Sequence, residues 1–205
     1  MSHREHWETV YSGKAPDKVS WFRPRLDQSL VFVDAAQLPA DAHVVDIGGG
    51  ASTLVDDLLA RGFQRPTVID LSARALEHSQ ARLGEAAAAV RWVVGDATTP
   101  LLPNASVDLW HDRAVFHFLT DPDARGAYIA QVHRCVRPGG HVVIATFALD
   151  GPERCSGLPT ARYAPAGIAA ALGAAFELVG DAHEVHETPH GGAQAFAYAH
   201  LRRRA

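Results

Sequence analysis

Along the middle of the chain, short runs of β-branched apolar residues alternate with longer stretches rich in Ala and Leu. That alternation is the pattern of βαβ units wound about a mostly parallel sheet. It predicts strands over His43 to Ile47, Thr67 to Asp70, Val90 to Val94, Val107 to His111 and His141 to Phe147. Between them it predicts helices over Ala51 to Arg61, Ser72 to Gly84 and Asp121 to Val136. Ser72 fits an N-cap and Gly84 a C-terminal stop, while Arg137-Pro138-Gly139-Gly140 ends the last of these helices.

Beyond the fifth strand the pattern changes. A Gly- and Pro-rich loop leads to a helix near Pro165 to Leu172 and then to two alternating segments, Phe176 to His186 and Ala193 to Leu201. The turn Thr188-Pro189-His190-Gly191-Gly192 has the residues a reversal requires, so the two segments read as a closing antiparallel pair. Ahead of the first strand, residues 1–40 hold Trp7, Tyr11, Trp21 and Phe22 and a helical stretch near Leu26 to Gln37. This segment is expected to cover the open edge of a site.

Composition narrows the class. A chain of 205 residues fits one domain, here taken as a covering segment (1–40), a core (41–147) and a C-terminal loop, helix and strand pair (148–205). A domain of that size buries roughly 70% of the surface its unfolded chain exposes. The composition, 47% hydrophobic and 20% charged, is that of ordinary globular proteins. Net charge is −4, and Arg202 to Arg204 form the densest basic run, so no nucleic-acid partner is expected. Cys135 and Cys155 are too few for a disulfide framework, and neither a leader nor a membrane span is apparent, so a cytoplasmic address is expected.

The sharpest chemical signal is VVDIGGGAS, residues 44 to 52, where a buried strand ends in an acid, three glycines and a helix start. Glycines at 48 to 50 let the chain turn tightly and admit ligand atoms near the backbone, and the helix start offers free N–H groups. A dinucleotide fingerprint would need a third glycine where this chain has Thr53. Asp46 is also a poor neighbour for a pyrophosphate but suits an ammonium or sulfonium. Asp70 ends the second strand, where a carboxylate accepts from ribose hydroxyls, a placing shared with NAD enzymes. Gly95-Asp96-Ala97 puts a third acid at the end of the next strand, able to accept from an adenine amine.

In the segments DIGGG, VID and GDA, with DLWHDRAVFHFL at 108 to 119 and VRPGGHVVIATF at 136 to 147, the chain resembles the class I S-adenosylmethionine-dependent methyltransferases. The resemblance spans roughly residues 40 to 147. It implies a Rossmann-like, doubly wound α/β fold with a seven-stranded sheet whose last strand is antiparallel. It also implies S-adenosylmethionine as cofactor. By carry-over, Gly48, Gly49 and Gly50 flank its methionine part and Asp46 orders the amine. Asp70 with Leu71 holds ribose, Asp96 with Ala97 frames adenine, and Asp112 lines the methyl-transfer pocket. Ser52 stands where the family's loop has its last glycine.

For the acceptor the residues say less. His111 and His117, at or just past the fourth strand, are candidate general bases, and Arg113 lies between them. Trp7, Tyr11, Trp21 and Phe22 are candidates for an apolar lid that excludes water. His183, His186 and His190 suggest spaced metal ligands, but strand positions three apart face opposite ways, so no metal is expected. The covering segment and tail resemble small bacterial methyltransferases of undefined substrate. A small-molecule thiol, amine, oxygen or metalloid acceptor is favoured over a protein lysine, with a noncatalytic cofactor-binding module as a third reading. Oligomeric state is not legible in the sequence.

Overall fold

The computed structural model describes residues 2–189 and 191–205. Helices α1 (His3–Gly13) and α2 (Asp27–Ala35) precede β1 (His43–Ile47), α3 (Leu54–Ala60), β2 (Arg65–Asp70), α4 (Ala73–Leu83) and β3 (Arg91–Val94). Then come β4 (Val107–Arg113), α5 (Pro122–Cys135), β5 (Val136–Phe147), a small hairpin of β6 (Arg154–Cys155) and β7 (Leu158–Pro159), α6 (Pro165–Leu172), β8 (Phe176–Glu187) and β9 (Ala193–Arg203). Seven strands form one sheet in the order β3-β2-β1-β4-β5-β9-β8, with β9 antiparallel to both neighbours. The expected α/β sheet with its reversed last strand is therefore present.

Strand order reverses between β1 and β4, which are paired in parallel, and at such a switch point the strands' carboxyl ends open into a crevice. The sheet is buried on both faces. Val45, Ile47, Trp110, Val142 and Ile144 pack with Tyr128 of α5 and Ile168 of α6, while Val44, Leu109, Val143, Phe147 and Phe196 pack with α2 and α3. Successive residues of β1 thus feed opposite cores, as a period of two requires. Each such side chain contributes about 1.5–3 kcal/mol through burial.

Four local features differ from the sequence expectation. The covering segment opens with α1, which the hydrophobic pattern did not reveal. Its start is a capping box in which Ser2 Oγ accepts from Glu5 N and Glu5 Oε2 accepts from Ser2 N. Helix α3 begins at Leu54, not Ala51, because the glycine turn extends to Ser52, whose Oγ accepts from Leu54 N. Strand β4 continues through Asp112 and Arg113. Finally, β5 starts at Val136, so Arg137 to Gly140 form an irregular strand opening; the β4 ladder slips between Val107 and Leu109 to accommodate it.

Candidate active site

A cavity of about 290 Å³ opens at the carboxyl ends of β1 to β4. Ile47, Gly48, Asp70, Leu71, Asp96 and Ala97 form one part of its wall, and Trp7, Tyr11, Trp21, Arg113 and Phe118 line it as well. Helix α1 is tied down beside it. Glu8 accepts from Ala73 N at 2.6 Å and Arg74 N at 3.4 Å, at the start of α4, and His78 Nε2 lies 3.1 Å from Tyr11 O. Trp7 meets Trp21 and Phe118 edge-on, with ring centroids 5.5 and 5.2 Å apart.

The glycine turn fits close approach. Gly48 has φ +65°, and a Cβ there would stand 2.1 Å from Val115 Cγ2. Gly50 has φ +22°, and a Cβ there would meet Asp70 Oδ2 at 2.6 Å. Asp70 Oδ1 accepts from Ser72 N at 2.8 Å. Burial pushes this carboxyl up to about 7, with the charges of Asp46 and Glu8 adding to the rise. Asp96 Oδ1 accepts from Thr98 N and Thr98 Oγ1, which fixes its turn at the cavity edge.

Several expected site residues lie elsewhere. Asp46 does not share the cavity of Asp70 and Asp96. It borders a smaller pocket of about 50 Å³ beyond Gly48, together with Gly49, Ser52, Phe22 and His111. The reason is register: Asp46 stands opposite His111 across the β1–β4 pair. His111 Nδ1 lies 2.7 Å from Asp46 Oδ1, and its Nε2 lies 2.9 Å from Ser29 Oγ. All three residues are buried, so His111 is committed on both ring nitrogens and is not a base facing the larger cavity. Gly50 borders neither pocket, being packed on Asp70 and Ala75.

His117 is fully buried and lines neither pocket. Its Nδ1 accepts from Phe147 N at 3.2 Å, and burial drives its pKa down to about 3, with Arg113 adding to the fall. It is thus neutral and enclosed, outside both pockets. Asp112 is likewise buried behind the wall, not in it. It accepts from Val115 N, from Phe116 N and, at 2.5 Å, from Tyr128 Oη, so it caps the turn after β4. Phe22 faces the smaller pocket, and Phe118 takes its expected place among the lid aromatics.

Sequence reasoning missed Phe118, Glu8 and Cys155, the last of which lines the cavity with its thiol pushed up to about 11 by burial. Of the three histidines weighed as metal ligands, His183 is exposed beside Asp150 and His186 is buried against Ser20 O. His190 lies outside the described residues. Among the described residues no group of three or more His, Cys, Asp or Glu is arranged to hold a metal ion, and no helix is long and apolar enough to cross a membrane.

Residues 44–140 match a family model described as a methyltransferase domain. Over 104 residues the chain is 35% identical to an uncharacterized methyltransferase of Mycobacterium bovis, covering 51% of this chain and 50% of that protein. It is 29% identical over 133 residues to a malonyl-[acyl-carrier protein] O-methyltransferase of Hahella chejuensis, covering 64% of this chain and 45% of that one. The chain thus spans about half the length of these curated relatives. In fold it is similar to the N-methyltransferase NodS from Bradyrhizobium japonicum in complex with S-adenosyl-L-homocysteine, with TM-score 0.75, 18% identity and 100% of both chains covered.

Proposed function

We propose that this chain, whose residues 44–140 match a methyltransferase domain, is a class I S-adenosylmethionine-dependent methyltransferase that transfers a methyl group from S-adenosylmethionine to a small-molecule nucleophile. The observation that carries this reading is the meeting of Asp70 and Asp96, on neighbouring strand tips, with Gly48 in one cavity lined by Trp7, Tyr11 and Trp21. In this proposal residues 1–205 act as one methyltransferase domain.

The residues fit the cofactor's parts. Asp70 accepts from the ribose hydroxyls beside Leu71, Asp96 and Ala97 frame the adenine, and the turn at Gly48 admits the methionine end. Asp46 is enclosed behind that turn with Oδ2 lacking a partner among the described residues; there it adds negative potential near a sulfonium and an amine. When bound, the sulfonium supplies an electrophilic methyl whose displacement leaves a neutral thioether. The protein's share is to orient the acceptor in line with that bond and to keep water out, which Trp7, Tyr11, Trp21 and Phe118 do as an aromatic wall.

A protein lysine is the weaker reading. A cationic acceptor would meet the guanidinium of Arg113 in the cavity wall. Incubation with a radiolabelled methyl donor, against a metabolite panel and a cell lysate in parallel, tests the proposal. Label is expected in small molecules. Label confined to macromolecules reverses the acceptor class, and failure to bind S-adenosylmethionine or S-adenosylhomocysteine overturns the cofactor assignment.

A further inference from the structure

Arg113 is the last residue of β4 and borders both the larger cavity and the smaller pocket. Its guanidinium is held in one orientation. Nε donates to Tyr198 Oη at 3.1 Å, Nη1 donates to Trp21 O at 3.2 Å, and Cζ stands 4.3 Å from the centroid of the Phe196 ring. Nη2 is enclosed and has no hydrogen-bond partner among the described residues. Leaving a buried guanidinium donor unpaired is costly, so a ligand oxygen that reached Nη2 would recover that cost.

Beyond Tyr198 the network of Arg113 reaches Glu184, which accepts from Tyr198 Oη at 2.9 Å through Oε2. Its Oε1 is already paired with Arg23 at 3.1 Å. Glu184 thus pairs directly with Arg23 and reaches Arg113 only through the Tyr198 hydroxyl. His186, on the same strand as Glu184, is held below its ordinary pKa by burial, with Arg113 and Arg23 adding to the fall. Cys155 in the cavity wall also feels Arg113, whose charge favours the thiolate there against the larger effect of burial. Arg113 thus places a positive charge in the wall of a cavity whose other lining residues include Asp70, Asp96 and Asp121.

We propose that Arg113 is the acceptor-recognition residue of this site, and that the methyl acceptor carries an anionic oxygen group, a carboxylate or a comparable oxyanion, bound by its guanidinium. This rests on the methyltransferase reading and adds the acceptor's chemistry to it. A planar fork fixed by Tyr198, Trp21 and Phe196 stands in the cavity wall without further ordering, and a carboxylate matches a guanidinium in geometry and charge. The same field repels an ammonium. The acids at Asp70 and Asp96 disfavour an acceptor lying with its anion towards the adenosyl end, so one orientation is selected.

The test uses the full chain saturated with S-adenosylhomocysteine, with saturation confirmed by calorimetry for each variant. Benzoate, phenylacetate and hexanoate, each beside its primary amide and the corresponding amine, are titrated by ligand-observed NMR. Carboxylates are expected to bind about tenfold or more tightly than their amides, and Arg113→Met to erase that preference while Arg113→Lys keeps part of it. Equal binding of carboxylate and amide by the unmodified protein, preference for the amine, or a preference that survives in Arg113→Met overturns the inference, and the first two outcomes need no variant that folds. Absence of S-adenosylhomocysteine binding overturns the reading beneath it, and this inference with it.

Discussion

Asp70 carries its proton at a pH where most carboxylates have lost theirs, and that single displacement sets how the site responds to acid. Its pKa of about 7 is raised by burial first. Accepting from two ribose hydroxyls requires the carboxylate, so ligand binding must expel the proton when pH lies below about 7. Affinity for S-adenosylhomocysteine is expected to fall by up to about tenfold per pH unit below that point. Calorimetry at pH 6 in buffers of different ionisation enthalpy should show a proton released, and no buffer dependence would refute it. For the free protein the sign runs the other way. A folded pKa above the ordinary value means stability that is full below about 4 and lost as pH rises through about 7, and Asp70→Asn should flatten that slope in thermal unfolding. Asp70→Ala is expected to weaken binding by about 1.5–3 kcal/mol through lost charge-assisted bonds, measured by the same titration. The strand-tip positions of Asp70 and Asp96 were legible in the sequence because each ends an apolar run before a turn. The burial of Asp112 was not, since it depends on Tyr128, 16 residues later on α5, reaching back to it. Nor was the pairing of Asp46 with His111, which needs the register of two strands far apart in sequence.

At the scale of elements, α1 ties the site's cover to its floor through Glu8, whose carboxylate sits on the first N–H groups of α4 and also raises the pKa of Asp70. Glu8→Gln keeps the shape and removes the charge. It should move the pH dependence of ligand binding towards acid, and it should raise amide exchange over residues 3–13, by about two- to tenfold, as a weakened cap does. An unchanged pH profile would separate Glu8 from Asp70. The helix itself was recoverable from the sequence. Ser2 and Glu5 are spaced as a capping box, but the mixed charge and aromatic content of HREHWETVY gives no apolar stripe to announce it. The start of β5 was hidden for the opposite reason. Pro138, Gly139 and Gly140 read as a terminator, yet the chain crosses them extended because Val136 pairs with Val107 one irregular step earlier.

Across the whole molecule, the alternation of strands and helices predicted the parallel part of the sheet, and two alternating segments with a Pro- and Gly-containing turn predicted its antiparallel close. The seven strands and the antiparallel last one were also implied by the family resemblance, but the order of the strands was not legible, because periodicity carries no information about which strands are neighbours. One consequence of that order concerns synthesis. Strand β8 is attached to the sheet through β9 alone among the described residues, and β9 lies between β8 and β5. Phe196, Tyr198 and Leu201, all buried, come from this late segment. A chain terminated after Gly192 is therefore expected to lose cooperative thermal unfolding and to associate through the bare edge of β5, measured by calorimetry and light scattering. On the ribosome, residues up to 187 emerge with the edge of β5 bare and β8 unattached, so the nascent protein must be kept from bonding to its neighbours until β9 slides in between them.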